Sequence, residues 1–243
     1  MFNICDRKRR IVFGWSNDEN ESIRNSQGWG GVLTLPREHF VVNYHRILNY
    51  RRIKKPEPFS VVSVQRVNGY RIHTLRTMGV RPIHELLQLR QHWFKPTELL
   101  SSLGRTHRLQ DTGYSGIHYE IRAQFRFPRD QNAGRYGFSL RASPDGQEQT
   151  GVYYDLSRKQ IVVDKTRASS NATIDSTSEI GHFELFQILN SAGDMEMETL
   201  DLRIFVDNSI IEVYFVTSMC LLTNLGICKR PIRAYGSHLS LTG

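Results

Sequence analysis

Tyr119-Glu120-Ile121-Arg122-Ala123-Gln124-Phe125-Arg126-Phe127 (YEIRAQFRF) alternates apolar and polar residues without a break. Side chains of a strand point to opposite faces in turn. Tyr119, Ile121, Ala123, Phe125 and Phe127 therefore share one face, and Glu120, Arg122, Gln124 and Arg126 the other. This is the pattern of a half-buried antiparallel strand with its polar face in water. Working outward, strands are predicted at 10–15, 30–35, 136–142, 151–155, 160–164, 201–206 and 210–215. Turn residues punctuate them at Ser143-Pro144-Asp145-Gly146, Asp155-Leu156-Ser157 and Asp207-Asn208-Ser209. Short strands at this spacing predict an all-β sandwich or barrel, with one alternating set from 202–206 and 211–215 buried. One stretch breaks the rhythm. Pro82–Arg90 (PIHELLQLR) sets Ile83, Leu86, Leu87 and Arg90 at helical spacing, with Pro82 near the first turn, and predicts a helix of about two turns. Residues 50–100 around it read as a connector between two β units.

The 243 residues are 39% hydrophobic and 23% charged, which excludes collagen-like, disordered and disulfide-dense classes and suffices for one large or two smaller domains. No apolar stretch approaches the roughly 20 residues a membrane-spanning helix needs, so no membrane partner is expected. The net charge of +8 is scattered apart from short runs at Arg7–Arg10 and Arg51–Lys55. Without a recognition motif beside it, that charge reads as a solvated basic surface, and no nucleic-acid partner is expected. Three cysteines (Cys5, Cys220, Cys228) show no CxxC spacing, and nine histidines include no HxxxH pair, so no metal site is expected. Phosphate-cradling glycine loops and a GxSxG elbow are also missing, and no cofactor is implied. Met1–Arg10 (MFNICDRKRR) has no apolar segment behind its basic residues, so it is not read as a secretory signal. Asn20 and Asn171 head the sequons Asn-Glu-Ser and Asn-Ala-Thr and are glycosylation candidates.

Paired carboxylates are the signature of glycoside hydrolysis. Asp207 and Glu212 flank the turn of a predicted hairpin, where a solvated sandwich rim is the plainer reading. Asp18 and Glu19 follow the apolar strand Ile11–Trp15 and neighbour Ser16 and Asn17, a run of aromatic, amide and carboxylate groups that suits a sugar site. Adjacent carboxylates on one strand end point opposite ways and cannot form a catalytic couple by themselves.

Several blocks carry a resemblance. Ile11–Glu19 (IVFGWSNDE), followed by Gln27–Glu38 (QGWGGVLTLPRE), resembles the last propeller blade of glycoside hydrolase family 32, the invertases (β-fructofuranosidases), inulinases and levanases. Thr77–Leu86 (TMGVRPIHEL) is similar to the linker after that propeller. Val152–Asp155 with Ile161–Arg167 (IVVDKTR) is similar to the family's YYD…VDRSR strands, and Leu202–Tyr214 (LRIFVDNSIIEVY) to its LRIFVDxSSIEVF hairpin. The resemblance implies the end of a five-bladed β-propeller followed by a C-terminal antiparallel β-sandwich. Its divisions would be an incomplete last blade at 1–75, a linker with a short helix at 76–104, and the sandwich at 105–243. It further implies hydrolysis of terminal fructosyl bonds in sucrose or fructans, and a secreted or vacuolar enzyme.

The family's nucleophile lies in W-M-N-D-P-N-G, its transition-state stabiliser in R-D-P and its acid/base glutamate in E-C. None of these motifs occurs in the 243 residues, so no catalytic residue is assigned and the polypeptide alone is expected not to hydrolyse sucrose. By resemblance, Trp15, Asn17 and Glu19 would face the propeller's central pocket and contact sugar. The alternative is a non-catalytic β-sandwich that binds carbohydrate or a partner. An incomplete blade leaves apolar faces uncovered, so the N-terminal part is expected to be the weakly ordered or aggregation-prone half.

Overall fold

The computed structural model describes residues 9–16, 21, 24, 25, 28–50, 59–90, 117–129 and 131–215, together with the strand course of 106–108, 219–224 and 238–242. The first half contributes six strands: β1 (Arg10–Val12), β2 (Trp15–Ser16), β3 (Val32–Leu33), β4 (Arg37–Ile47), β5 (Ser60–Val67) and β6 (Tyr70–Pro82). A six-residue 3₁₀ helix follows at His84–Leu89. The second half contributes β7 (Thr106–Arg108), β8 (His118–Phe125), β9 (Arg135–Leu140), β10 (Gln149–Asp155), β11 (Gln160–Arg167) and β12 (Glu179–His182). It continues with β13 (Gln187–Leu189), β14 (Met195–Met197), β15 (Leu200–Asp207), β16 (Ile210–Phe215), β17 (Met219–Asn224) and β18 (His238–Thr242). Among the described residues no helix is long and apolar enough to cross a membrane.

The second half is a β-sandwich. A six-stranded sheet in the order β12-β11-β10-β9-β18-β7 faces a four-stranded sheet in the order β17-β16-β15-β8. Between them lies one core that includes Phe138, Leu140, Val152, Tyr154, Ile161 and Val163 from the first sheet and Leu202, Ile204, Val206, Ile211, Val213 and Phe215 from the second. Tyr119, Ile121, Ala123 and Phe125 pack on that core from β8, and Phe127 just beyond it is buried, so the register read from YEIRAQFRF holds. A one-residue slip would have reversed both faces.

The polar face of β8 is not uniformly wet. Arg122, Gln124 and Arg126 are exposed, but the Glu120 side chain is only 15% exposed. Arg90, Arg122 and Arg203 all donate to its carboxylate, at 2.6–2.9 Å. Burial opposes ionisation of Glu120, yet these three guanidinium partners outweigh it and hold its pKa below the ordinary carboxylate value. Likewise, all six residues of β16 are buried rather than one alternating set. Ile211, Val213 and Phe215 face the sandwich core, while Ile210, Glu212 and Tyr214 are covered on the other face.

In the first half, a second six-stranded sheet runs β14-β13-β4-β6-β5, with β1 also paired to β4. The connector expected at 50–100 is therefore corrected. Residues 60–82 form a long hairpin whose turn is Asn68-Gly69, both at positive φ (50° and 79°), the geometry of a tight two-residue hairpin turn. The helix is shorter and tighter than expected because Pro82 belongs to β6, paired with Arg37, and Ile83 supplies no side-chain cap. A division at residue 75 would cut β6, and the β13–β14 hairpin returns from the second half to extend the first sheet through Ile188 and Ile47. The core here is small: Ile47, Leu75 and Phe186, with Tyr44, Tyr50, Phe59 and Ile188 around them. Of the thirteen exposed large apolar residues among those described, twelve precede residue 90.

Candidate functional site

The first-half motif residues make a compact turn. β2 and β3 pair Trp15 with Leu33 and Ser16 with Val32. Gly31, at φ +74°, lies directly under the indole, since a Cβ there would stand 2.4 Å from Trp15 Cζ2. Only glycine allows that approach, which sets the Trp15 ring against bare backbone with 58% of the residue exposed. Thr34, which is buried, anchors the turn from below. Its hydroxyl accepts from the Gly14 amide at 2.7 Å and from Arg37 Nη2 at 2.8 Å, and its own amide donates to the Gly14 carbonyl at 2.9 Å.

The residues that follow join the two halves. The Leu35 amide donates to Glu212 Oε1 at 2.6 Å across 177 residues of sequence, and the Tyr214 hydroxyl donates to Glu212 Oε2 at 2.7 Å. Glu212 is 1% exposed. Burial raises its pKa, only partly opposed by those two hydrogen bonds. Glu38 extends the joint on the first-half side, receiving Arg9 Nε at 3.1 Å and Arg81 Nη2 at 3.0 Å. The Thr-Leu-Pro-Arg-Glu segment thus does structural work that its sequence pattern did not reveal. The missing signal was a partner for Leu35, which no local spacing encodes.

Asp207 and Glu212 do not form a catalytic couple. Asp207 is 61% exposed and accepts from His118 Nδ1 at 2.5 Å, whereas Glu212 is sealed behind Leu35 and Tyr214 where substrate cannot reach it. Asn17, Asp18, Glu19 and Asn20 lie outside the described residues, as do Cys5, Cys228 and the side chain of Cys220. Asn171 is exposed in a turn in which its Oδ1 accepts from the amide and hydroxyl of Thr173, at 3.0 and 2.8 Å. Among the described residues, no group of three or more His, Cys, Asp or Glu could hold a metal ion.

Known proteins share this fold. A family model described as "Glycosyl hydrolases family 32 C terminal" matches residues 85–225. An insoluble β-fructofuranosidase isoenzyme from Arabidopsis thaliana is 24% identical over 226 residues, covering 90% of this chain and 38% of that protein. An extracellular exo-inulinase from Aspergillus niger is 30% identical over 131 residues, 49% of this chain and 23% of the relative. Among solved structures, a fructosyltransferase from A. japonicus superposes with a TM-score of 0.80 at 25% identity, over 97% of this chain and 38% of that one. The Aspergillus kawachii β-fructofuranosidase superposes at 0.73 with 28% identity, over 96% and 40%. The chain thus spans well under half the length of these relatives. Because the residues matched by the model are more than half of the 243, the chain belongs to family 32 of the glycosyl hydrolases, through that family's C-terminal region.

Proposed function

We propose that this chain is the C-terminal part of a hydrolase of terminal fructosyl bonds, with sucrose or a fructan as substrate. The family match over 85–225 carries the reading, supported by relatives whose names are β-fructofuranosidase and exo-inulinase. In this account the sheet of β1, β4, β5 and β6 is the partial last blade, the stretch around the 3₁₀ helix is the linker, and the two facing sheets are the sandwich. The reaction of such enzymes needs two carboxylates about 5 Å apart and passes through a covalent glycosyl-enzyme. The nucleophile, R-D-P and E-C motifs are not among these 243 residues, so the chemistry must come from a segment that supplies them. The chain's own contribution is the Trp15 turn, with Asn17 and Glu19 following it, at the edge of the site. An indole offers a flat face to sugar C–H groups, and an amide or carboxylate hydrogen-bonds hydroxyls.

The exposed apolar residues of the first half, Phe13, Trp15, Leu33, Val41 and Met78 among them, fit a surface that the remaining blades would cover. The test joins the chain to the motif-bearing N-terminal segment of the Arabidopsis relative and measures fructose release from sucrose and from inulin. Release by the joined protein and none by the 243 residues alone is expected. A folded joined protein with no release would overturn the reading. It would leave the second one, a carbohydrate-binding or interaction sandwich without catalysis, which the groove described next favours.

A further inference from the structure

The outer face of the six-stranded sheet carries two rows of residues lying side by side across its strands. Register aligns Ser139 of β9, Gly151 of β10 and Asp164 of β11, and the Ser178 hydroxyl lies 3.4 Å from Asp164. The neighbouring row is Gly137, Tyr153, Val162 and Ile180. Directly opposed residues of antiparallel strands project to the same face, so a polar row runs beside an apolar one. Gly151 puts no side chain into the polar row, and a groove of about 230 Å³ opens there against Tyr153, Asp164, Gln149, Ser139 and Arg135.

The groove presents donors and acceptors together. Ser139 Oγ donates to Gln149 Oε1 at 2.6 Å, and among the described residues the Gln149 amide nitrogen has no partner. Asp164 accepts from the Thr166 amide at 3.0 Å and the Thr166 hydroxyl at 2.6 Å, and these bonds, like that from Ser178, all fall on Oδ1. Its Oδ2 has no hydrogen-bond donor among the described residues. Burial of Asp164 is outweighed by these bonds, so its pKa lies below the ordinary value and it is ionised at neutral pH. The Arg135 guanidinium stands 5.1 Å over the Tyr153 ring and 3.5 Å from Asp155, which fixes that wall.

We propose that this groove binds an oligosaccharide, and, resting on the reading above, one built of fructosyl units. A sugar is amphipathic in the same sense as the two rows. Its C–H face suits the Tyr153 ring, while each hydroxyl both donates to Asp164 Oδ2 and accepts from Gln149 Nε2. Arg135 and Arg167 also line the groove, but a simple anion there would meet the Asp164 carboxylate, and a purely apolar ligand would strand these polar groups without partners. The groove is smaller than the ~300–1,000 Å³ of drug-sized sites, which suits one sugar unit of a chain lying along an open sheet.

Isothermal titration of the 243-residue chain with an inulin-type fructo-oligosaccharide tests this, with malto-, cello- and xylo-oligosaccharides as comparison arms. Saturable binding of the fructo-oligosaccharide is expected, weakened at least about tenfold by Tyr153→Ala and clearly reduced by Gln149→Ala. Gly151→Val keeps every binding group but fills the groove, since a Cβ there stands 3.3 Å from Asp164 Cβ and 3.5 Å from Tyr153 Cδ1. It should abolish binding while the thermal unfolding profile stays cooperative, and Gln147→Ala, in an exposed turn, should leave binding unchanged. Saturable binding that survives Gly151→Val, or no binding in any arm, would overturn the proposal. Binding of another oligosaccharide alone would overturn its fructosyl assignment. Fructose release by the joined protein is read separately. A dead groove in an active joined protein refutes only the groove, and an intact groove without release refutes only the hydrolase reading.

Discussion

Replacing Glu212 with Ala removes the acceptor that two donors share, the part-buried Leu35 amide at 2.6 Å and the buried Tyr214 hydroxyl at 2.7 Å. Each donor left unsatisfied costs about 1–3 kcal/mol. Against that stands the cost the native protein already bears for burying a carboxylate, visible in the raised pKa of Glu212. The net loss should be about 2–4 kcal/mol. For a chain of this size that lowers Tm by about 4–16 °C. Glu212→Gln keeps a carbonyl oxygen for the Leu35 amide and removes the ionisation cost, so it should lie within about 1 kcal/mol of the native protein. The assay is thermal unfolding followed by far-UV circular dichroism and by tryptophan fluorescence. Among the described residues the tryptophans are Trp15 and Trp29, both in the first half, so their fluorescence reports that half. With Glu212→Ala the fluorescence transition should move down with the dichroism transition, because the joint couples the halves. A Tm within about 2 °C of native for Glu212→Ala would refute the assignment of Glu212 as the joint.

Burial raises the pKa of Glu198 to about 7, opposed in part by its hydrogen bond from the Phe186 amide. The folded protein then binds more protons than the unfolded chain between about pH 4.5 and 7, so this group's stabilisation is full below that window and is lost as pH rises through it, by up to about 3 kcal/mol. Glu198→Gln should flatten that part of the stability profile in urea titrations at stepped pH, and an unchanged slope would refute the shift. Val41 is 69% exposed and pairs with Met78, itself exposed, on the first sheet. Val41→Lys should change the stability of the 243-residue chain by under about 0.5 kcal/mol while reducing light scattering; undiminished scattering would show that this face does not drive association. In the joined protein, Trp15→Leu should lower kcat/KM for sucrose more than threefold, above about 0.7 kcal/mol of transition-state stabilisation. A smaller loss would leave Trp15 as a packing residue over Gly31.

β8 of the sandwich is readable because it is half-buried: YEIRAQFRF alternates, and a period of two names the inward face directly. The first sheet was harder. In β6, the run Thr77-Met78-Gly79-Val80-Arg81-Pro82 resembles a linker, and its strand character comes from pairing with β4. One local signal is present: Asn68-Gly69 between the β5 and β6 runs marks a two-residue hairpin. Glu212 was misplaced for a different reason. Rim and joint positions look alike in a hairpin sequence, and only the return of Leu35 from 177 residues away buries this one. The groove under Tyr153 was invisible for the same reason, since Ser139, Gly151 and Asp164 meet only through the register of three strands. Trp15 could be named from the resemblance, but the Gly31 backbone that holds its ring required the fold.

The proposed function requires that the carboxylates of a fructosyl hydrolase be supplied by a segment other than these 243 residues. The most direct measurement is fructose release from sucrose by the chain alone, by the motif-bearing segment alone, and by the two joined in one polypeptide. Release by the joined protein, with none from the chain alone, is expected. Sustained release by the isolated chain, or a correctly folded joined protein that releases none, would contradict it.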